Sequence, residues 1–425
     1  MERAILVGIR TSEQDAQAFD DALAELRRLA ETAGAEVLHM VTQRRERPDP
    51  AWYMGRGKAE EVAHLAEAEE ADLVIIDQEL SPAQVRNLET VIPCKVIDRT
   101  QLILDIFAQR ARTKEGKLQV ELAQLRYLLP RLAGKGRDLS RLGGGIGTRG
   151  PGETKLEVDR RRIKRRIADL EDELAEVVRH RALLRARRRK DGVFRVALVG
   201  YTNAGKSTLL NRLTRAHVLA EDKLFATLDP TARRLRLPSG HDAVLIDTVG
   251  FIQNLPHHLV AAFRATLEEA RDADLLLHVV DASHPSADRH IAVVRQVLAD
   301  IGAAHLPELL VWNKIDRLAP HARLFPDAPD KIAISAFSDP DLERLRQRID
   351  AARQRAFVTV RLRVPVSDGR LLADVHEHAV VRRSQLDESG AFFTLEAAMD
   401  RQTARRLAQS GIPIAILDAE GNPHG

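Results

Sequence analysis

The sequence has 425 residues and a formal net charge of +3, which predicts about two to four domains, each with its own core. Its single cysteine, Cys94, excludes an internal disulfide and is typical of a reducing compartment. The first residues lack a signal-peptide pattern, and no apolar run approaches the ~20 residues that span a bilayer. We therefore expect a cytoplasmic protein that works as a monomer.

Residues 1–112 alternate β-branched runs with amphipathic helical patterns, which predicts a small domain built on a parallel sheet. The predicted strands are 4–9, 36–41, 73–77 and 95–97, and the clearest helices are 22–33 and 59–68.

This first domain contains Gly55-Arg56-Gly57-Lys58, which is half of a phosphate-binding signature. The segment before it contains Pro48 and Trp52 and is not a clean strand. We therefore favour glycines at a helix start followed by an exposed lysine. A second nucleotide site, or a site for RNA phosphate, is the alternative.

Two long helices with an apolar seam are predicted in residues 113–191. Leucines step by four and three in the first, and Ile163, Ile167 and Leu170 do so in the second, so we expect an antiparallel coiled-coil hairpin. Pro130 is expected to kink or end the first helix. Segment 133–154 between them is too rich in glycine to form a helix or a strand, and a loop of that length is usually functional or a flexible linker.

The second helix of the hairpin is strongly basic. Residues 155–190 hold 14 Lys and Arg against 7 Asp and Glu, in a chain whose net charge is only +3. Since aromatic residues are few, the pattern favours electrostatic binding of folded RNA, with a merely solvated helix face as the alternative. The candidate RNA-binding residues are Arg149, Lys155, Arg160, Arg161, Arg162, Arg165 and Arg166.

A phosphate-binding loop stands at the start of residues 192–355. An apolar, β-branched run meets Gly200, four variable residues follow, and Gly205-Lys206-Ser207 opens an amphipathic segment. Inward-facing backbone N–H groups, the helix N-terminus and the lysine attract phosphate, and the Ser207 hydroxyl suits Mg²⁺. The predicted nucleotide-binding residues of the loop are Gly200, Tyr201, Thr202, Asn203, Ala204, Gly205, Lys206, Ser207 and Thr208.

Three further strand-end elements indicate that the nucleotide is GTP. Asp247-Thr248-Val249-Gly250 can hold Mg²⁺ through water and reach the γ-phosphate. In Asn313-Lys314-Ile315-Asp316, the carboxylate can accept two hydrogen bonds from guanine, a pairing that adenine cannot supply. Ser335-Ala336 is placed to support the base. The order of these elements predicts a P-loop GTPase domain and leaves an ATPase as the alternative.

The switch segment must lie between the loop and Asp247. Thr227 is the favoured residue to close over Mg²⁺ and the γ-phosphate, Thr231 is the competitor, and the start of a strand is a third interpretation. The predicted metal ligands are thus Ser207, Thr227 and Asp247, and the predicted catalytic residues are Lys206, Thr227, Gly250 and Asn203.

Two residues bear on the rate of hydrolysis. Phe251 follows Gly250 where some GTPases carry a glutamine that orients the attacking water, so slow intrinsic hydrolysis is expected. Asn203 offers a carbonyl oxygen near the phosphates, and we hypothesise that it helps to bind K⁺, which would neutralise transition-state charge. A hydrogen bond from Asn203 to its own loop is the alternative.

Residues 356–425 are predicted as a small α+β domain, with strands at 357–364 and 391–395 and a helix at 371–380. The complete chain is therefore a multi-domain α/β protein with four parts. In order, these are a small parallel α/β domain, an antiparallel helical hairpin, a P-loop GTPase domain and an α+β domain.

Several of these segments together resemble the HflX family of GTPases. They are YMGRGK at 53–58, the stretch 99–132, GGGIGTRGPGETKLE at 143–157, GYTNAGKSTL at 200–209, LFATLDPT at 224–231 and DTVGFI at 247–252. The resemblance covers residues 1 to about 350, whereas the last 70 match only in general character. Phe251 agrees with the family pattern and does not argue for an inactive enzyme.

The resemblance implies a ribosome-associated GTPase that binds the large subunit, with its hairpin reaching toward the peptidyl transferase region, and that splits stalled or idle ribosomes. It assigns nucleotide roles to Gly200, Asn203, Lys206, Ser207, Thr227, Asp247, Gly250, Asn313, Lys314, Asp316 and Ser335. Two alternatives remain: a GTPase of ribosome assembly or RNA modification, and a nucleotide-sensing adaptor whose target is a protein.

Overall fold

A computed structural model describes residues 1–132, 155–189, 193–214, 224–225, 227–253, 264–319, 321, 325, 327–387, 389–400, 403–404, 407–408 and 412–417. The chain forms two compact units. The first comprises Met1–Glu176, Glu221–Asp229 and Val249–Leu267, and the second comprises Val177–Ala220, Pro230–Thr248 and Glu268–Gly425. Within the described residues, no helix is long and apolar enough to cross a membrane.

The first unit contains a four-stranded parallel sheet with strand order β2-β1-β3-β4. All four predicted strands are confirmed, and their apolar side chains form a core around Ile5, Val74 and Ile76. The strands are β1 Glu2–Thr11, β2 Ala35–Arg45, β3 Leu73–Ile76 and β4 Lys95–Asp98, and the helices are α1 Ala16–Ala33, α2 Arg56–Ala68, α3 Pro82–Val91 and α4 Arg99–Arg110.

Two long helices follow, α5 at Lys114–Leu132 and α6 at Lys155–Arg189. Their predicted apolar seam is confirmed, because Leu118 and Leu122 of α5 are buried with Leu170 of α6. Pro130 does not end α5, which continues to Leu132. The glycine-rich segment 133–154, including Arg149, lies outside the described residues.

The second unit contains a six-stranded sheet with order β10-β9-β8-β5-β7-β6, in which only the edge strand β6 is antiparallel to its neighbour. Strand β5 is therefore interior, and its Val196 and Leu198 are completely buried. The strands are β5 Phe194–Val199, β6 Thr231–Arg236, β7 Asp242–Asp247, β8 Leu275–Asp281, β9 Glu308–Asn313 and β10 Lys331–Ala333, and the helices are α7 Lys206–Thr214, α8 Arg264–Arg271, α9 Ala287–Asp300 and α10 Asp339–Ala356.

The C-terminal part of the second unit is an antiparallel sheet of order β12-β13-β11-β14 with one helix. The predicted α+β character is confirmed, but the sequence patterns predict only two of the four strands. The elements are β11 Phe357–Pro365, α11 Gly369–His378, β12 Val380–Leu386, β13 Phe392–Asp400 and β14 Ile414–Leu417.

Candidate functional site

The loop between β5 and α7 has a backbone that strongly favours glycine at two positions. Gly200 has a φ of +151° and Gly205 a φ of +96°. A Cβ atom on Gly200 would lie 2.2 Å from the carbonyl oxygen of Val279, and one on Gly205 would lie 2.4 Å from the side-chain nitrogen of Asn313. The loop therefore combines positive-φ backbone with close packing against β8 and β9, as a phosphate-binding loop requires.

Lys206 is buried at the start of α7, with only 6% of its surface exposed. Its ammonium group donates to the carbonyl oxygens of Gly200, at 3.1 Å, and Tyr201, at 2.9 Å. The pKa of Lys206 is lowered to about 8, mainly by burial; Asp247 opposes the shift and Lys314 adds to it. A buried cation of this kind gains from a bound anion, which phosphate would supply.

Ser207 and Asp247 place two oxygen donors side by side. The Ser207 hydroxyl donates to the Asp247 carboxylate at 2.7 Å, and Asp247, at the end of β7, is completely buried. Carboxylate and hydroxyl oxygens suit a hard cation such as Mg²⁺. The structure thus brings together two of the three predicted metal ligands.

The Asn-Lys-Ile-Asp element packs directly on the phosphate loop. The Asn313 amide donates to the carbonyl of Ala204 at 2.9 Å and accepts from the N–H of Ala336 at 3.1 Å. It therefore joins the phosphate loop to the Ser335-Ala336 element. Asp316 follows in the short 3₁₀ helix Ile315–Arg317 and is exposed at the surface.

Lys314 braces the same loop through a partner that the sequence patterns do not indicate. Its ammonium group donates to the Asn203 carbonyl at 2.6 Å and to the Asp281 carboxylate at 2.7 Å. Burial acts to raise the pKa of Asp281, but hydrogen bonds from Lys314 and Ser283 outweigh it and lower the pKa. An aspartate directly at the end of the buried strand β8 is the sequence signal that could have identified this residue.

A second contact that sequence reasoning missed holds the first variable residue of the loop. The ring of Tyr201 stacks on His290 of α9, with centroids 3.8 Å apart and planes 7° apart. Both side chains are buried, at 7% and 8% exposure. His284 lies beside the stack, with its ring centroid 4.4 Å from that of His290. No local pattern joins residues so distant in the sequence.

Thr227 and Gly250 belong to segments of the first unit. There the Asp229 carboxylate accepts from the backbone N–H groups of Arg112 and Thr113, both at 2.9 Å. The ring of Phe225 packs edge-on against Phe107, with centroids 4.6 Å apart. The candidate switch segment is therefore bound to the turn between α4 and α5, at the base of the hairpin.

The two candidate switch threonines lie in different structural settings. Thr231 is the first residue of β6, opposite Asp247 in the register, so it does begin a strand. Thr227 lies outside any helix or strand, four positions earlier. The role predicted for Thr227 stays a prediction.

Apart from Arg149, the candidate RNA-binding arginines lie on α6, and all five of these are exposed: Arg160, Arg161, Arg162, Arg165 and Arg166. Arg166 differs in its contacts, because its guanidinium forms two hydrogen bonds with Glu121 of α5, at 2.7 and 2.9 Å, and therefore helps to join the two helices. Lys155 begins α6, but its side chain lies outside the described part of the chain.

The fold and the site define the class of protein. A mostly parallel sheet carries a glycine loop with a buried lysine after its interior strand, a Ser–Asp oxygen pair and an Asn-Lys-Ile-Asp element packed on that loop. This arrangement is that of a P-loop GTPase.

Comparison with known proteins gives the family. Three family models match consecutive parts of the chain: "GTP-binding GTPase N-terminal" at 20–108, "GTP-binding GTPase Middle Region" at 110–188 and "50S ribosome-binding GTPase" at 195–314. The chain is 50% identical over 401 residues to the GTPase HflX of Alkalihalophilus pseudofirmus, covering 93% of each chain. It is 46% identical over 412 residues to the GTPase HflX of Escherichia coli, covering 96% of each.

The chain therefore belongs to the HflX family of GTPases, and it hydrolyses GTP to GDP and phosphate. It is also 26% identical to a GTP-binding protein from the archaeon Sulfolobus solfataricus, solved in complex with GDP, with a TM-score of 0.45 over 83% of this chain and 99% of that one.

Proposed function

We propose that this protein is a magnesium-dependent GTP hydrolase that binds the large ribosomal subunit and splits or rescues idle or stalled ribosomes in the cytoplasm. The observation that carries the proposal is the match of residues 195–314 to a "50S ribosome-binding GTPase", on a domain with a complete phosphate loop. Four domains, at 1–112, 113–191, 192–355 and 356–425, divide the work between nucleotide and ribosome.

The nucleotide occupies the loop from Gly200 to Thr208. Lys206 holds the phosphates, and burial supports this role because its charge has only backbone carbonyls as direct hydrogen-bond partners among the described residues. Asp316 accepts from guanine, with Ser335 and Ala336 beside the base. The hydrogen bonds of Asn313 to both the loop and Ala336 support this placement, because they fix the base side relative to the phosphate side.

Ser207 and Asp247 would hold a magnesium ion, and Thr227 would close over it in the GTP state. The 2.7 Å contact between the serine hydroxyl and the aspartate carboxylate supports the choice of metal. When bound, the ion would neutralise negative charge on the phosphates. The protein residues orient the phosphate chain and exclude water from it.

The switch segment couples the bound nucleotide to the position of the hairpin. Asp229 accepts from the N–H groups of Arg112 and Thr113, just before α5 begins at Lys114. Movement of the segment on GTP binding would therefore move the start of α5. A nucleotide shifts such an equilibrium only by its different affinity for the two states, so the GTP form must bind ribosomes more tightly than the GDP form.

The exposed arginines of α6 and the glycine-rich segment 133–154 bind ribosomal RNA. Their charge supports this role, because phosphate contacts give affinity that falls steeply with salt. Arg160, Arg161 and Arg165 are the best candidates, because Arg162 forms an ion pair with Asp159 at 3.7 Å and Arg166 is bonded to Glu121 within the hairpin.

Sucrose-gradient analysis of mature ribosomes tests the proposed function. Addition of the protein with GTP, or with a slowly hydrolysed analogue, is expected to convert ribosomes to free subunits, and addition with GDP is not. Lys206→Ala serves as the control without nucleotide function. If gradients of mature ribosomes are unchanged while precursor particles accumulate in cells lacking the protein, the assembly interpretation replaces this one.

A further inference from the structure

A buried hydroxyl group of the phosphate loop has no hydrogen-bond partner among the residues that the structure describes. Thr202, the second of the four variable residues between Gly200 and Gly205, is 7% exposed. Among the described residues, no atom forms a hydrogen bond with its Oγ1. Buried hydroxyl groups are nearly always hydrogen-bonded, so an exception inside a ligand loop points to a bond that the ligand completes.

Both neighbours of Thr202 are held by other parts of the domain. The Tyr201 ring stacks on His290, and the Asn203 carbonyl accepts from Lys314 at 2.6 Å. Asn203 itself has a φ of 60°, which fixes the turn. The backbone on both sides of Thr202 is therefore anchored to the rest of the domain.

Hydrolysis of GTP requires hydrogen-bond donors near the γ-phosphate. A water oxygen bonds to the γ-phosphorus as the bond to the β,γ-bridging oxygen breaks, and GDP leaves with that electron pair. One water proton stays on the released phosphate and the other passes to solvent. Phe251, which stands where some GTPases have glutamine, offers no side-chain hydrogen bond to water or phosphate.

We propose that Thr202 is a further catalytic residue, whose hydroxyl group donates a hydrogen bond to a γ-phosphate oxygen of GTP during hydrolysis. The bond is available to GTP and to its analogues but not to GDP, which lacks the γ-phosphate. This inference rests on the nucleotide site proposed above. Within that site, Thr202 acts in the hydrolysis of GTP and not in the binding of GDP.

Thr202→Val tests the inference, because valine keeps the shape of threonine and removes the hydroxyl. We expect single-turnover hydrolysis at saturating GTP to fall by about tenfold or more, since loss of one preorganised donor at an acyl-transfer centre costs on the order of 100–1,000-fold in rate. Affinity for GDP should change by less than about twofold, and the preference for a slowly hydrolysed GTP analogue over GDP should fall. Thr202→Ser should restore most of the rate.

Thr214→Val is the matched control, since it removes a threonine hydroxyl from the same domain. The Thr214 hydroxyl bonds the Leu210 carbonyl at 2.7 Å within α7, and this variant should keep both rate and affinity. A full hydrolysis rate in Thr202→Val would overturn the inference. An equal loss of GDP affinity would also overturn it, because the hydroxyl would then be structural. Failure of the unaltered protein to bind GDP would instead refute the proposed nucleotide site.

Discussion

The molecule contains two glycine-lysine segments at helix starts, and they differ in almost every physical respect. At the start of α7, Lys206 is 6% exposed and bonds only backbone carbonyls among the described residues. At the start of α2, Lys58 forms an ion pair with Glu61 on its own helix, at 2.7 Å. Lys206 therefore has no carboxylate among its hydrogen-bond partners in the described residues, whereas the charge of Lys58 is already balanced by Glu61.

Gly57 differs from the two loop glycines in the same way. Gly200 and Gly205 have positive φ angles and contacts that would reject a Cβ atom. A Cβ atom added to Gly57 would meet no other atom within 4 Å, and the backbone there needs no unusual φ. A short sequence signature therefore identifies a phosphate site only when the backbone and the burial of the lysine agree with it. This comparison favours the interpretation of residues 55–58 as an ordinary helix start.

The largest difference is expected for alanine at the two glycine positions. Gly200→Ala places a Cβ 2.2 Å from the Val279 carbonyl oxygen, and should cost about 3 kcal/mol or more in stability and abolish GDP binding. Gly57→Ala enters open space in a helix and should leave GDP binding unchanged. Thermal unfolding and GDP titration measure both effects. Similar losses in the two variants would break the comparison.

The two lysines should differ next most strongly. Lys206→Ala removes the buried charge that meets the phosphates and should slow GTP hydrolysis by about 100-fold or more. Lys58→Ala removes only a surface ion pair, which contributes about 0–1 kcal/mol, and should change the rate by less than about twofold. Steady-state phosphate release gives both numbers. A tenfold loss in Lys58→Ala would show that residues 55–58 do take part in nucleotide chemistry.

A smaller effect concerns the monovalent cation. Asn203 has a φ of 60° and its backbone carbonyl is bonded by Lys314, so its position in the loop is fixed. If it helps to bind K⁺, hydrolysis should be roughly tenfold faster in K⁺ than in Na⁺, and Asn203→Ala should remove the difference. Hydrolysis rates in the two salts at equal ionic strength decide this. Equal rates for the unaltered protein would refute the hypothesis.

The smallest effect is a dependence on pH that follows from burial of Lys206. Its pKa is lowered from 10.5 to about 8. Between these two pH values the unfolded chain binds more protons at this group than the folded chain does. The contribution of Lys206 to the stability of the nucleotide-free protein therefore rises with pH. Bound phosphate favours the protonated form. On GDP binding, Lys206 should therefore take up part of a proton at about pH 8.5 and almost none at about pH 6.5.

Calorimetry in buffers with different ionisation enthalpies measures this proton uptake. Lys58→Ala is the matched control and should show the same uptake as the unaltered protein. Absence of uptake on the alkaline side of the Lys206 pKa would contradict the inferred state of this lysine.

Most of the fold could be predicted from the sequence, because the buried residues of a helix or strand recur at regular intervals along the chain. The strands β1 and β5 are runs of buried apolar residues, and the seam of α5 and α6 has a heptad spacing. Strand β12 escapes prediction because Val380–Leu386 is mostly exposed and has no alternation of apolar and polar residues. Its position depends on pairing with β13, which is a tertiary contact.

The site could be predicted where a residue acts through its place in a motif, as Lys206 and Asn313 do. A contact within the site could not be predicted where it joins residues that are far apart in the sequence. The ion pair of Lys314 with Asp281 and the stack of Tyr201 on His290 are of that kind. The Thr202 hydroxyl could not be singled out from the sequence for another reason. Only the hydrogen bonds of the folded loop show that it has no partner in the described part of the chain.

The central claim is that GTP controls binding of this protein to the large ribosomal subunit. Co-sedimentation with purified large subunits, in a slowly hydrolysed GTP analogue and in GDP, tests it most directly. We expect tighter binding with the analogue, and weaker binding with a smaller salt dependence when Arg160, Arg161 and Arg165 are changed together to alanine. Arg126→Ala is the control, because it removes an arginine of α5 whose charge is already paired with Glu171 of α6 at 2.6 Å. Equal binding in the two nucleotide states would contradict the claim.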